Sequence, residues 1–213
     1  MKEPNLSFIA FSYFKGEIII KKSNTLFLVE VAIFGALAYL LDVLAGVLSL
    51  KIWAQGGSIS IAMVPVFIMA FRWGLKGGLL SGLILGLLQL TFGPVGVHIV
   101  QILLDYIVAF VVLGFAGLFA SQVVNAVNRD DFKRAIYFVT FASFIACTLR
   151  FLSHYLAGII FFRDAAPAGQ PIEIYSLIYN GTYMLPSFVI STIVTLLLIK
   201  AVPRIFSFSK TVS

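Results

Sequence analysis

Between residues 26 and 199 the chain runs through six long apolar stretches, at about 26–48, 59–73, 77–92, 97–122, 135–161 and 176–199. A helix that crosses a bilayer needs roughly 20 predominantly apolar residues. The second and third stretches fall short of that length, which predicts tilting or a broken helix there. The whole sequence is 61% hydrophobic and 11% charged, against about 45–50% and about 25% in soluble domains. No soluble core could hide that much apolar surface, so the bilayer is this chain's solvent. Inside lipid every backbone polar group must find its partner within the protein, which leaves helices or a closed barrel. The alternating apolar and polar residues of a barrel strand are absent. The expected fold class is therefore an all-α membrane protein with six transmembrane helices.

The net charge of +6 is explained by topology rather than by nucleic acid. With these spans, Lys51 and Arg163 fall on one side of the membrane and Arg150 inside the fifth span. The other twelve basic residues share the opposite side. Cytoplasmic loops carry the excess of lysine and arginine, so both termini are expected in the cytoplasm. Residues 1–24 are read as a cytoplasmic lead-in: "FIAFSYF" is too short to span, and no small-residue cleavage site follows it. Residues 25–203 form the six-helix domain and 204–213 a cytoplasmic tail. The lone cysteine, Cys147, lies in an apolar run and is read as a small buried hydrophobe.

Two stripes of small residues suit close helix packing, where van der Waals contact replaces the missing hydrophobic drive. One is Ala32 and Ala36 with Gly35 in the first span; the other is Gly78, Gly82 and Gly86 in the third. Either could serve packing within the chain or docking to another subunit. Trp53, in the loop after the first span, suits a membrane interface.

Ionisable side chains in hydrocarbon cost about 2.5–3.5 kcal/mol each on insertion scales, so those present invite a functional reading. Asp42, Asp105, Arg150 and His154 lie within or near spans. Asp105 precedes Tyr106 in "VQILLDYIVAF", at a depth that suits the wall of an outward-facing cavity. It can pair with Arg150 or recognise a cationic, amine-bearing ligand. Arg150 and His154 are four apart and share a helix face, with Gly158 one turn further on. Glu30, at the start of the first span, is read as favouring the helix dipole. In "EIYSLIYNGTYMLPSF" Tyr175, Tyr179 and Tyr183 follow i, i+4 spacing, as an aromatic belt or as one wall of a pocket. Asn180 beside them is a buried amide in need of partners, and Pro186 is expected to shape the start of the last helix.

No G-x-x-x-x-G-K-[ST] loop, no H-E-x-x-H, no cysteine–histidine cluster and no Ser/His/Asp arrangement occurs. These residues offer a binding cavity without reaction machinery, so neither a catalytic residue nor a metal is expected. A stand-alone secondary carrier using Asp42, Asp105 and Arg150 as a proton relay is the alternative class.

Over residues 25–200 the chain resembles the thiamin-specific S-component, the substrate-binding membrane subunit of energy-coupling factor (ECF) transporters. The resembling pieces are "VEVAIFGALAYLL", "GGSISIAMVPVFIMAFRWGLKGG", "QILLDYIVAF", "RFLSHYLAGIIFF" and "YSLIYNGTYMLP". The resemblance implies a six-helix S-component fold with both termini inside. It implies a thiamin pocket near the outer face, covered by the loop after the first span. It carries substrate contact onto Asp105, Tyr106, His154, Gly158, Tyr175, Asn180 and Trp53. Asp105 stands where the family usually has the longer glutamate, and Phe162 takes the place of a tryptophan. The stripe Ala32 and Ala36 is expected to dock on a transmembrane coupling subunit. ATPase subunits would supply the energy, and this chain would hold no cofactor. The resemblance thus places it in a bacterial plasma membrane; an S-component for a thiamin precursor or another vitamin is the near alternative.

Overall fold

Ser23 opens the first helix by accepting a hydrogen bond from the Leu26 N–H with its side chain, which satisfies one of the free amides at the helix start. The computed structural model describes residues 23–48, 51–53, 56–92 and 98–206, with the side chains of 51–53 and Gly56 outside that description. Most of the expected lead-in, the end of the expected tail and the Trp53 side chain therefore lie outside the described residues. Six helices follow in order: α1 Asn24–Val47, α2 Met63–Trp73, α3 Leu75–Phe92, α4 Ile99–Asn128, α5 Phe132–Phe161 and α6 Ile172–Ala201. Five of them are long and apolar enough to cross a membrane. Their outward faces carry leucine and isoleucine, such as Ile33 and Leu40 at 57% and 60% exposed. Such faces have no place in water and suit lipid.

The sixth, α2, is different in kind. At 1.5 Å per residue its eleven residues reach only about 16 Å, half the hydrocarbon thickness. Every residue from Met63 to Arg72 is buried, so α2 is the core around which the longer helices pack. The apolar stretch that begins at residue 59 starts outside any helix, with the Ser60 N–H donating to Ser187 Oγ of α6 at 3.1 Å. Upstream lies a two-stranded antiparallel hairpin, β1 Lys51–Trp53 and β2 Gly56–Ser58, with Lys51 opposite Ser58. Within β2 Gly57 has φ 74°.

Only Gly74 separates α2 from α3. A Cβ there would meet nothing within 4 Å, so space is not the reason for glycine. Its φ of 74° is: the left-handed region costs other residues a Cβ clash.

The α3 glycine stripe packs within the chain. A Cβ on Gly82 would fall 2.3 Å from the Phe110 carbonyl oxygen of α4, and one on Gly86 would fall 2.2 Å from that of Tyr106. The α1 stripe is the opposite case: Gly35 is buried against Ile84 of α3, while Ala32 is exposed and Ala36 half-buried.

At one end of the bundle, Arg72 of α2 grips Glu30 of α1 in a two-point ion pair, at 2.7 and 2.9 Å. Trp73 donates its indole N–H to the same carboxylate. Arg72 also donates to the carbonyls of Arg204 and Ile205, just past α6. Glu30 is therefore a tertiary clamp and not a dipole-favouring residue of the first turn. The clamp gathers the start of α1, the end of α2 and the end of α6 at one face, in agreement with two termini on one side.

Candidate functional site

The opposite end of the bundle contains a cavity of about 340 Å³, within the usual range for small-molecule sites. It is built by the second half of α1, the hairpin, the end of α3, the start of α4, the end of α5 and the start of α6.

The α4 wall begins with local irregularity. Residues Leu103–Val108 form a π-helical turn, closed by the Ala109 N–H bonding to the Leu104 carbonyl five residues back. Ser153 of α5 adds a second hydrogen bond to that carbonyl, at 2.7 Å. On the other side the bare backbone of Gly86 lets α3 press against Tyr106. A π-turn widens the helix by one residue and re-aims the side chains on it, and such turns gather at functional sites. Here the turn carries Asp105 and Tyr106, and both line the cavity.

Asp105 accepts from His154 of α5, with Nδ1 and Oδ1 3.0 Å apart. The neutral imidazole that donates from Nδ1 keeps a lone pair on Nε2. That Nε2 is buried with no hydrogen-bond partner among the described residues. The structure thereby corrects the pairing of Asp105 with Arg150: its partner is His154, one turn along. The Arg150 guanidinium lies over the Phe110 ring, 4.6 Å from its centre, an arrangement that stabilises a cation in a dry site. Across the cavity Gln89 of α3 donates to Asp42 of α1. Apart from its tyrosines, the described ionisable lining is thus two carboxylates, one guanidinium and one histidine.

Helix α6 starts at Ile172, early enough to place all three tyrosines on it. Their rings form a ladder, 5.9 Å from Tyr175 to Tyr179 and 6.0 Å from Tyr179 to Tyr183. All three line the cavity, and so does Asn180, which is 3% exposed. Pro186 lies well inside α6 and so does not shape its start.

Of the eight residues singled out for substrate contact, seven line this one cavity: Asp105, Tyr106, His154, Gly158, Phe162, Tyr175 and Asn180. The eighth is Trp53, whose side chain is not described. Gly158 has a nearer neighbour than any ligand: a Cβ there would fall 2.1 Å from Ser176 Oγ. Ala32 and Ala36 are not part of the cavity; Ala32 is exposed on α1 and Ala36 half-buried. Gln89, Gln101, Phe110 and Ser176 also line it and were not singled out. Each is one polar or aromatic residue in an apolar run; only the cost of leaving a buried amide unpaired could have flagged the two glutamines.

The chain matches the model of the thiamine transporter protein family over residues 28–207. It is 46% identical over 185 residues to the thiamine transporter ThiT of Bacillus subtilis (strain 168), covering 86% of this chain and 95% of that protein. A second relative, ThiT of Lacticaseibacillus paracasei, is 28% identical over 148 residues, covering 68% and 74% of the two chains. The solved structure of ThiT from Listeria monocytogenes superposes with a TM-score of 0.80 at 30% identity, covering 87% of this chain and all of that one. These likenesses bear out the all-α membrane fold, the multi-pass bacterial membrane location and transport rather than catalysis. The chain belongs to the thiamine transporter family.

Proposed function

We propose that the cavity is the thiamin site and that the chain is the substrate-binding subunit of an ECF importer. The observation that carries this reading is the lining: carboxylates at Asp105 and Asp42, the imidazole of His154, and the tyrosine ladder of α6. Thiamin has a permanently cationic thiazolium and a flat aminopyrimidine. Aromatic faces hold flat rings and cations, with cation–π terms of about 0.5–2 kcal/mol. A carboxylate balances the charge and accepts from the ring amine. In this reading Asp105, Tyr106, His154, Tyr175 and Asn180 touch the ligand. Phe162, 41% exposed at the rim, contributes an apolar edge, Gly158 keeps the α5 wall thin, and Trp53 belongs to the covering loop.

The stripe of Ala32, which is exposed, and Ala36, which is half-buried, is the surface we assign to the coupling subunit. Ala32→Trp together with Ala36→Trp is expected to abolish co-purification with that subunit while leaving thiamin affinity unchanged, measured by pull-down and titration in parallel. The transport reading is tested in proteoliposomes. The chain alone, under a proton gradient, should bind thiamin and accumulate none; coupling and ATPase subunits with ATP should be required for uptake. Accumulation by the chain alone would make it a secondary carrier. Competition by the isolated pyrimidine and thiazole halves, each weaker than whole thiamin, separates this site from one for a precursor.

A further inference from the structure

Asn180 sits in the cavity wall with its amide almost fully committed. Its Nδ2 donates to the Ser176 carbonyl at 3.0 Å and to Ser176 Oγ at 3.2 Å. A carbonyl oxygen can only accept, so the amide nitrogen must be the atom facing it. Ser176 Oγ spends its own proton on the Tyr155 carbonyl of α5, at 3.0 Å, and so it too can only accept from Asn180. That hydroxyl sits where a Cβ on residue 158 would be, which is why the position opposite it is glycine. On the other side, Tyr183 donates its hydroxyl to Asn180 Oδ1 at 2.7 Å. The flipped amide would set Oδ1 against the Ser176 carbonyl, oxygen to oxygen.

An amide has two protons and two lone pairs. Among the described residues both protons and one lone pair are accounted for, and the remaining capacity is one lone pair on Oδ1. We infer that Tyr183 and Ser176 are specificity-determining positioning residues. They hold Asn180 as a hydrogen-bond acceptor toward the cavity, so that the site selects a ligand presenting an amine there. This rests on the reading of the cavity as the thiamin site. Tyr183 has a second contact that links it to the cover of the cavity. The backbone of Gly57 in the hairpin lies on its ring, so close that a Cβ would fall 2.5 Å from the ring carbon. The ring thus seats the hairpin while the hydroxyl orients the amide.

The test compares two ligands on one protein. Oxythiamin differs from thiamin by a keto oxygen in place of the ring amine, so it presents an acceptor to an acceptor. A site built to pair with an N–H rejects the analogue that lacks it. Wild-type protein is expected to prefer thiamin at least tenfold in equilibrium titration. Tyr183→Phe keeps the ring under Gly57 and removes the hydroxyl. It loosens Oδ1 while Ser176 still holds Nδ2, so it should lower thiamin affinity several-fold and leave oxythiamin affinity unchanged, and the preference narrows. A purely structural role would weaken both ligands alike and keep the ratio, and that result overturns the inference. If Tyr183→Phe does not accumulate in the membrane, Ser176→Ala removes one anchor of the amide without touching the tyrosine ladder, and its ratio should fall in the same direction; a wild-type ratio there overturns the inference equally. Wild-type protein that binds neither ligand would overturn the thiamin reading itself, and the inference with it.

Discussion

Asp105→Ala is expected to weaken thiamin binding between tenfold and a hundredfold, with little change in the amount of folded protein. Hydrogen bonds to a charged group contribute about 1.5–3 kcal/mol, and about 1.4 kcal/mol is tenfold in affinity. The substitution also strands His154, whose Nδ1 loses its acceptor at 3.0 Å. A ring freed to turn loses its fixed place in the cavity wall, so part of the loss arises through the histidine. Asp105→Asn divides the two contributions. It keeps an acceptor for the imidazole and removes the charge, and it should lie between wild type and alanine. Titration calorimetry of the three proteins reads the series. Equal affinities across it would remove Asp105 from the site.

Glu30→Ala should do the reverse: a large loss of stability with thiamin affinity intact. Arg72 is 7% exposed and Glu30 17%, and removing one partner of a buried ion pair costs about 3–5 kcal/mol because the other charge loses its counter-ion. Trp73 loses its acceptor in the same step. The joint between α1, α2 and the chain after α6 then keeps the contacts of Arg72 to the Arg204 and Ile205 carbonyls and the edge-on packing of Phe27 against Trp73. The double change Glu30→Leu with Arg72→Met should cost clearly less than the two single changes combined, because no lone charge remains. Thermal unfolding in detergent reads this, and additive losses would show that the pair is not coupled. Since the clamp and the cavity lie at opposite ends of the bundle, the two series separate folding from binding.

Much of the architecture follows from the apolar runs, since a helix is the open-ended solution lipid allows. What the runs could not reveal was which of them faces lipid. The residues of α2 and α1 are equally apolar, yet α2 is buried along its length and α1 presents Ile33 and Leu40 outward. Hydropathy measures dislike of water, and lipid and protein core satisfy it equally. Length was the remaining clue: a run that falls short of a span is a candidate for the core. Glu30 was misread for a related reason. Its position near a helix start is local information, while its partner is 42 residues away on another helix.

The site was legible where residue type alone carries a cost. A carboxylate, an imidazole and an amide within apolar runs each stand out, and Asp105, His154 and Asn180 do line one cavity. The pairing among them was not legible. Arg150 and His154 share a helix face, and a one-turn difference decides which of them meets Asp105. The π-turn at Leu103–Val108 that sets this register has no composition signature: it depends on Ser153 and Gly86, from two other helices, meeting the α4 backbone. Ser176 was missed because serine is cheap to bury and common in helices, although its hydroxyl anchors Asn180.

The central claim is that this chain, by itself, binds thiamin. The direct measurement is an equilibrium titration of the purified protein in lipid nanodiscs with thiamin, without partner subunits and without nucleotide. Saturable binding at one thiamin per chain, weakened in Asp105→Ala, is the predicted result; the absence of saturable binding by the wild-type chain would contradict it.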